Sequence, residues 1–267
     1  MRKAAWSGAN RVLYNFAHMN RRQMLKGTVA LAGAAGAGVV TQKPGDAAQP
    51  LRKMKIVVTG GHPGDPEYGC GGMIARLTAQ GQEVVLLYLN DGAWETSAAV
   101  RMAEAKKACE ILKARPVYAG QTNGHAIVDG AHYDAFQKII AAENPDAVFI
   151  HWFIDNHSDH RAIANLAYEV WNRLKRRFAL YYYEVSDGED TMQFPTPTHY
   201  VDITSVADIK KAACYAHASQ NPDFFYGLQD SVAVFRGFGC GSKRAEAYVM
   251  QTGSPFDIFA INGVLAR

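Results

Sequence analysis

Two short segments of the chain carry the residue types that bind metal ions. The first, His62-Pro63-Gly64-Asp65, places an imidazole and a carboxylate three residues apart, and the second, residues 151–160, contains three histidines and two aspartates. Two imidazoles and one carboxylate, with a fourth position open to water, form a typical catalytic zinc site. A metal held in this way activates water and polarises a carbonyl oxygen, so the two segments together predict hydrolytic chemistry.

Each residue also has a simpler explanation. A histidine at the end of a strand is often a hydrogen-bonded loop residue, and Asp159, directly before a predicted helix, is a typical N-cap. Glu67 could be a solvated charge, and the glycines of residues 69–72 could only allow a helix and a strand to approach closely. We favour a metal site over these simpler explanations because both segments follow predicted strands of one sheet.

The elements that must position these segments alternate along the chain. Short apolar runs predict strands at 55–61, 83–89, 116–119, 147–150 and 179–183. Apolar residues at helical spacing predict helices at 69–81, 95–114, 132–143 and 159–177. Strands that are apolar throughout and alternate with helices indicate an α/β, Rossmann-like fold, with a mainly parallel sheet and helices on both faces.

This topology predicts where the two segments meet. Ligands of an open parallel sheet gather at the carboxyl ends of the strands, at the switch point of the strand order. Right-handed crossovers allow the strand at 147–150 to lie beside the strand at 55–61. Beyond residue 186 the pattern is looser, with a strand expected at 199–203 and a helix at 205–219, and the last 45 residues are the least readable.

The composition fits one folded domain behind a basic leader. The chain has 267 residues, 48% of them apolar, which is enough for one sizeable core. The first 48 residues contain seven basic side chains and one acidic side chain, so the remainder carries 21 basic and 24 acidic groups. Because a mildly acidic body lacks the basic surface of nucleic-acid-binding proteins, we expect no nucleic-acid partner.

The leader, residues 1–48, resembles a twin-arginine (Tat) signal peptide. Arg21-Arg22 and the following Met-Leu-Lys precede a mildly apolar run at 27–40, which is too short for a confident transmembrane helix. We therefore predict a signal peptide over 1–48 and a folded domain over 49–267. The Tat export machinery would be a partner, the protein would be periplasmic or secreted, and no stable membrane anchor would remain after signal removal. Met19 is an alternative start to Met1.

The two metal-binding segments resemble the signatures of a known family. Residues 62–72, His-Pro-Gly-Asp-Pro-Glu-Tyr-Gly-Cys-Gly-Gly, are similar to the first signature of the PIG-L/LmbE-like deacetylases, usually His-Pro-Asp-Asp-x-Glu with a Gly-Cys-Gly-Gly-like turn. Residues 157–161 resemble the second, usually His-Pro-Asp-His. The resemblance covers about residues 55–250. It implies a Rossmann-like zinc hydrolase that removes acetyl groups from N-acetylglucosamine-type sugars.

Carried over by position, the resemblance implies a role for each residue of the site. His62, Asp65 and His160 would bind one zinc ion. His157, oriented by Asp159, would steady the oxyanion and help the amine to leave.

Two further elements of the family have counterparts in this chain. Arg101 with Glu104 resembles one of them, and residues 216–220, Ala-His-Ala-Ser-Gln, resemble another. The resemblance implies that Arg101 binds sugar hydroxyl groups. A surface salt bridge between Arg101 and Glu104 is the simpler alternative.

One position departs from the family pattern. The first Asp of the family's Asp-Asp pair, its general base, is Gly64 here. Loss of a positioned base typically lowers the rate about 10²- to 10⁴-fold. Glu67, Asp155 and Asp159 are possible substitutes, and we rank Asp155 first because it lies on the opposing loop.

These observations predict a periplasmic or secreted zinc-dependent deacetylase of an N-acetylated sugar or sugar conjugate. The alternative is a metal-binding carbohydrate-recognition protein on the same fold that has lost catalysis. A nicotinamide-dependent oxidoreductase is excluded by its motif, because residues 60–72 contain no GxGxxG and His62-Pro63 occupies the turn that a pyrophosphate needs.

Overall fold

The computed structural model describes residues 52–185 and 188–262 of the chain. The predicted signal peptide lies outside these described residues. These described residues form one compact unit. Among the helices of the described part, none combines the length and the apolar character needed to cross a membrane.

A seven-stranded sheet forms the centre of the fold, in the order β3-β2-β1-β4-β5-β7-β6. The first five strands pair in parallel, whereas β7 is antiparallel to both β5 and β6. The strands are β1 (Lys55–Gly60), β2 (Glu83–Asn90), β3 (Arg115–Gln121), β4 (Ala147–His151), β5 (Ala179–Tyr183), β6 (His199–Asp202) and β7 (Ala245–Met250). The predicted α/β, mainly parallel sheet is confirmed.

Helices connect the strands and cover both faces of the sheet. They are α1 (Asp65–Ala79), α2 (Ala98–Leu112), α3 (Gly130–Glu143), α4 (Ser158–Arg173), α5 (Gly188–Gln193), α6 (Ala207–Tyr215), α7 (Pro222–Cys240) and α8 (Ile258–Asn262). Two buried hydrophobic clusters result, one built around Phe149 and Tyr248 and the other around Leu87 and Trp171. Side chains of β1, β2, β4 and β5 point alternately to the two faces of the sheet, so each of these strands contributes residues to both clusters.

Element boundaries differ from the predicted ones mainly near the first metal-binding segment and at the C-terminal end. The first helix begins at Asp65, four residues before its predicted start, because Pro66 occupies an early helical position that needs no backbone donor. The region expected as one helix over 205–219 is a 3-10 turn, then α6, then a second 3-10 turn at Ala218–Gln220. Helix α7 and strand β7 lie in the stretch that gave no readable pattern.

Candidate metal centre and its pocket

The two metal-binding segments meet at the switch point of the sheet. Strands β1 and β4 are parallel neighbours, so the loop after β1 and the segment after β4 leave the sheet side by side. Gly61 makes this approach possible, since a Cβ there would lie 2.7 Å from Cδ2 of His160. The sheet order thus produces the convergence that the sequence predicted.

Three ligand atoms of the predicted set form a small triangle. His62 Nδ1 lies 3.3 Å from His160 Nε2, His160 Nε2 lies 3.1 Å from Asp65 Oδ2, and Asp65 Oδ2 lies 3.4 Å from His62 Nδ1. Ligand atoms about 2.0–2.1 Å from a tetrahedral zinc ion are separated by about 3.3 Å. The triangle therefore has the size that one tetrahedral metal ion requires.

A second layer of carboxylates sets the tautomers of both imidazoles. Asp159 Oδ2 accepts a hydrogen bond from His62 Nε2 at 3.1 Å, and Asp155 Oδ2 accepts one from His160 Nδ1 at 2.9 Å. With a metal ion in the triangle, each histidine would carry its proton on the nitrogen that bonds Asp159 or Asp155. The lone pairs of His62 Nδ1 and His160 Nε2 would then face the ion, as metal ligation needs.

The electrostatic potential at the triangle favours a positive charge. Burial disfavours a charge on His160, but Asp65 and Asp155 on either side outweigh it and raise the pKa of His160 to about 10. Burial would also raise the pKa of Asp65, yet the three surrounding imidazoles hold it well below its usual range. A cation between these groups is electrostatically stabilised, so the donor set and the field both fit a divalent metal.

A further histidine, His151, lies behind the triangle and was not part of the predicted ligand set. It is fully buried, it stacks on His160 at a ring separation of 4.0 Å, and its Nε2 lies 3.4 Å from Asp65 Oδ2. It could complete an alternative ligand set with Asp65 and His160. Its Nε2 already accepts a hydrogen bond from the Gly61 N–H at 3.1 Å, and burial lowers the pKa of His151 to about 4. We therefore assign it a supporting position; its place at the last residue of β4 was the only sequence signal.

His157 lies on the open side of the triangle. Its ring is exposed, and the ring centroids of His62 and His160 lie 4.5 and 4.9 Å away. With His62 and His160 it forms another set of nitrogens close enough to share a metal. His157 is also the N-cap of α4, because its Nδ1 accepts a hydrogen bond from the Asp159 N–H at 3.2 Å. In the neutral ring the proton is consequently on Nε2, which makes Nε2 a hydrogen-bond donor.

The structure corrects two expected contacts of the carboxylates. Asp159 was expected to orient His157, with an N-cap as its simpler alternative. Its carboxylate instead accepts hydrogen bonds from His62, the Asn90 amide and the Gly124 N–H, and its backbone N–H donates to the His157 ring. Asp155, expected as the general base, is buried and accepts hydrogen bonds from His160 and from the His157 N–H. Because both oxygens of Asp155 are engaged, this position argues against a role as proton acceptor.

Arg101 is buried in the pocket wall and pairs with Glu104, as the simpler alternative predicted, while its sugar contact stays a prediction. Its guanidinium lies 3.5 Å from Glu104 and donates a hydrogen bond to the Pro63 carbonyl at 2.6 Å. The side chain is 3% exposed, so the pair with Glu104 is not a surface salt bridge. Nε and Nη1 of Arg101 make no hydrogen bond within the described residues, although the residue lines the pocket described next.

The triangle opens into a pocket of about 580 Å³, which lies within the usual range for small-molecule sites. One side is formed by the metal-binding segments, with His157 and Asn156. The remaining walls come from α1 and α2, from the loops after β2 and β3, and from the C-terminal region around α6 and α7. These walls include Trp94, Asn123, Arg101, Tyr68, His217 and Phe225.

Gly64 has a backbone conformation that favours glycine, with φ 115° and ψ −38°. A Cβ at this position would lie 3.6 Å from the Tyr68 ring and 3.9 Å from Cδ2 of His217. Space for a side chain therefore exists, and the backbone, rather than crowding, opposes a larger residue.

Comparison with known families agrees with the position of these residues. Residues 57–171 match the family model described as PIG-L, GlcNAc-PI de-N-acetylase, and this range includes every residue of the triangle. Diacetylchitobiose deacetylase of Thermococcus kodakarensis is 26% identical over 217 residues, which span 72% of this chain and 81% of that protein. Both findings support the PIG-L/LmbE family for this region.

Solved structures show the same fold. N,N'-diacetylchitobiose deacetylase from Pyrococcus horikoshii has a TM-score of 0.66 at 22% identity, covering 77% of this chain and 88% of that one. GalB, the 4-carboxy-2-hydroxymuconate hydratase from Pseudomonas putida, has a TM-score of 0.62 at 23% identity, covering 76% and 98%. The fold is thus the LmbE-like α/β fold, and its relatives include both deacetylases and a hydratase.

Proposed function

We propose that this protein is a metal-dependent hydrolase that removes the N-acetyl group from an N-acetylglucosamine-type sugar or conjugate. The observation that carries the proposal is the triangle of His62 Nδ1, Asp65 Oδ2 and His160 Nε2, with edges of 3.1–3.4 Å, the size that one tetrahedral metal ion requires. The family match over residues 57–171 and the deacetylases among the relatives favour amide hydrolysis over hydration.

We propose zinc as the metal, held by His62, Asp65 and His160. A ligand set of two nitrogens and one oxygen is of borderline hardness, which suits zinc. When bound, the ion supplies Lewis-acid polarisation of the acetyl carbonyl and activation of water. Asp155 and Asp159 would hold the two imidazoles in the tautomers that ligation requires.

The residues around the triangle have separate tasks in this proposal. His157 donates a hydrogen bond from Nε2 to the carbonyl oxygen as negative charge develops on it. Arg101, whose Nε makes no hydrogen bond within the described part of the chain and whose side chain lines the pocket, binds sugar hydroxyl groups. The substrate is a small N-acetylated sugar or glycoconjugate that fills the pocket of about 580 Å³.

Metal analysis and acetate release test this function together. The purified protein should contain one zinc ion per chain and release acetate from N-acetylglucosamine or N,N'-diacetylchitobiose. Treatment with a chelator should abolish acetate release, and added zinc should restore it. Protein with full zinc that releases no acetate from any N-acetyl sugar would contradict the deacetylase and would favour the carbohydrate-recognition protein.

We also propose that the protein is exported by the Tat pathway and acts in the periplasm or outside the cell. Support comes from the Arg21-Arg22 pair before the weakly apolar run at 27–40. Replacement of both arginines by lysine should leave an uncut precursor in the cytoplasm. Normal cleavage and export of that variant would refute the proposal.

A further inference from the structure

Hydrolysis of an amide requires a group that accepts a proton from the attacking water. The carboxylates near the triangle are committed elsewhere, since Asp155 supports His160 and Asp159 supports His62. His157 is also unsuitable, because its Nδ1 accepts the Asp159 N–H and its Nε2 carries the proton. Gly64, at the position of the family's base, has no side chain. The proton acceptor must therefore come from another wall of the pocket.

His217 lies on that other wall, directly after α6. It lines the same pocket as His62, Asp65 and His160, and it is only 1% exposed. Its Cδ2 lies 3.9 Å from the place where a Cβ on residue 64 would be. The Cδ2 edge of the ring thus borders the space that a side chain at position 64 would enter.

A buried carboxylate sets the tautomer of His217. Glu67 is fully buried, and its Oε1 accepts hydrogen bonds from His217 Nε2 at 3.0 Å and from the Tyr88 hydroxyl at 2.7 Å. The proton of the neutral imidazole is then on Nε2, and Nδ1 carries a lone pair. Nδ1 is buried and makes no hydrogen bond within the described residues. An imidazole oriented by a carboxylate with its other nitrogen free is the arrangement of a general base.

We propose that His217, oriented by Glu67, is the catalytic base, a proposal that rests on the amide hydrolase function above. An O–H bond of the attacking water breaks, its proton goes to Nδ1 of His217, and the water oxygen forms a bond to the acetyl carbon. When the C–N bond breaks, the leaving nitrogen takes that proton from His217. The products are the free amine and acetic acid, and His217 returns to its neutral form.

Replacement of His217 by asparagine separates catalysis from binding. With full-length, zinc-loaded protein, kcat for acetate release should fall by about 10²- to 10⁴-fold, with KM, zinc content and melting temperature little changed. The matched control is His199→Asn, because His199 Nε2 contacts Asp257 at 3.1 Å in a similar pair that does not line the pocket. The control should keep the wild-type kcat. A His217→Asn protein that binds zinc and keeps the wild-type kcat would overturn the proposal.

A carboxylate at position 64 provides a rescue experiment. Gly64→Asp in the His217→Asn background should raise kcat by about 10-fold or more, because it returns a base to the same space. A merely structural role of His217 predicts no such rescue. Zinc content and melting temperature of the double variant must be measured too, since the backbone of residue 64 disfavours a side chain. If a folded, zinc-loaded double variant shows no gain, the assignment of His217 to this space is wrong.

The tautomer of His217 can be measured independently of enzymatic activity. In metal-free protein, ¹⁵N NMR should show the proton of the neutral His217 ring on Nε2, with its signals identified by their loss in His217→Asn, and Glu67→Gln should disturb this pattern. A ring protonated at Nδ1 would contradict the proposal.

If the wild-type protein hydrolyses no N-acetyl sugar, the proposed substrate class fails, and p-nitrophenyl acetate then tests His217 separately. Slower hydrolysis of this ester in His217→Asn would support the base. An unchanged rate, or no hydrolysis by the zinc-loaded wild type, would refute it.

Discussion

Helix α1 touches two buried clusters of charged side chains that differ in kind. At its first residue lies the metal cluster, which consists of His62, Asp65, His160, Asp155 and Asp159. Further along lies the Glu246 cluster, in which Glu246 accepts hydrogen bonds from Lys210 Nζ at 2.7 Å, the Tyr248 hydroxyl at 2.8 Å, and the N–H groups of Gly72 and Met73. The residues of the Glu246 cluster are buried, whereas the metal cluster opens through its triangle into the pocket, and both clusters contain carboxylates next to cations or imidazoles.

The difference lies in where the free electron pairs are. In the Glu246 cluster, Lys210 supplies the positive charge, and each carboxylate oxygen meets two donors, so the group is complete by itself. In the metal cluster, three acceptor atoms converge on one point. Buried charge alone therefore does not indicate a site, whereas convergent acceptors do. The predictions that follow test this distinction, from the largest expected effect to the smallest.

Removal of a ligand from the metal cluster should have the largest effect. His160→Ala deletes one corner of the triangle, so metal affinity should fall by more than about 100-fold, beyond what loss of a supporting group causes. Elemental analysis of the purified variant should find no stoichiometric zinc. His132→Ala is the control, because His132 lies on the exposed face of α3 and pairs only with Asp129. Full zinc in His160→Ala would mean that the ligand set is wrong.

Removal of the cation from the Glu246 cluster should destabilise the fold without affecting the metal. Lys210→Met leaves Glu246 buried and unpaired, which typically lowers the free energy of unfolding by about 3–5 kcal/mol. Denaturant unfolding should show this loss, and zinc affinity of the folded protein should stay unchanged. The neighbouring Lys211→Met should cost less than about 1 kcal/mol, because Lys211 is exposed and its Nζ lies over the rings of Tyr215 and Tyr226. Zinc loss in folded Lys210→Met would remove the distinction between the clusters.

Removal of a supporting carboxylate should have the smallest of the three effects. Asp155→Asn weakens the hydrogen bond to His160 Nδ1, and zinc affinity should fall about 10- to 100-fold. Competition with a chromogenic chelator measures this change, and the exposed Asp134→Asn serves as control. If Asp155 were instead the general base, zinc affinity would be unchanged and only kcat would fall.

The parallel part of the fold was readable because its strands are continuous apolar runs separated by amphipathic helices. The C-terminal part could not be read from the sequence. Strand β7 lies antiparallel beside β5, and its pairing with β6 joins residues that are far apart in the sequence. Helix α7 carries exposed phenylalanines such as Phe235 and Phe238, which weaken the polar face that a surface helix normally shows. The wall that contains Phe225 and Gln229 was therefore absent from the sequence prediction.

Residue types and spacing determined which segments could bind a metal, since His62 and Asp65 follow β1, and His157 and His160 lie in the segment that follows β4 of the same parallel sheet. Tertiary structure decided which histidine nitrogen each carboxylate binds. Asp155 and Asp159 are equally near to several imidazoles along the chain, and only the packing of α4 against β1 and β4 turns Asp159 towards His62 and Asp155 towards His160. Sequence spacing sets which groups can meet, but a hydrogen bond depends on distances of a few tenths of an ångström, and these are set by the folded sheet.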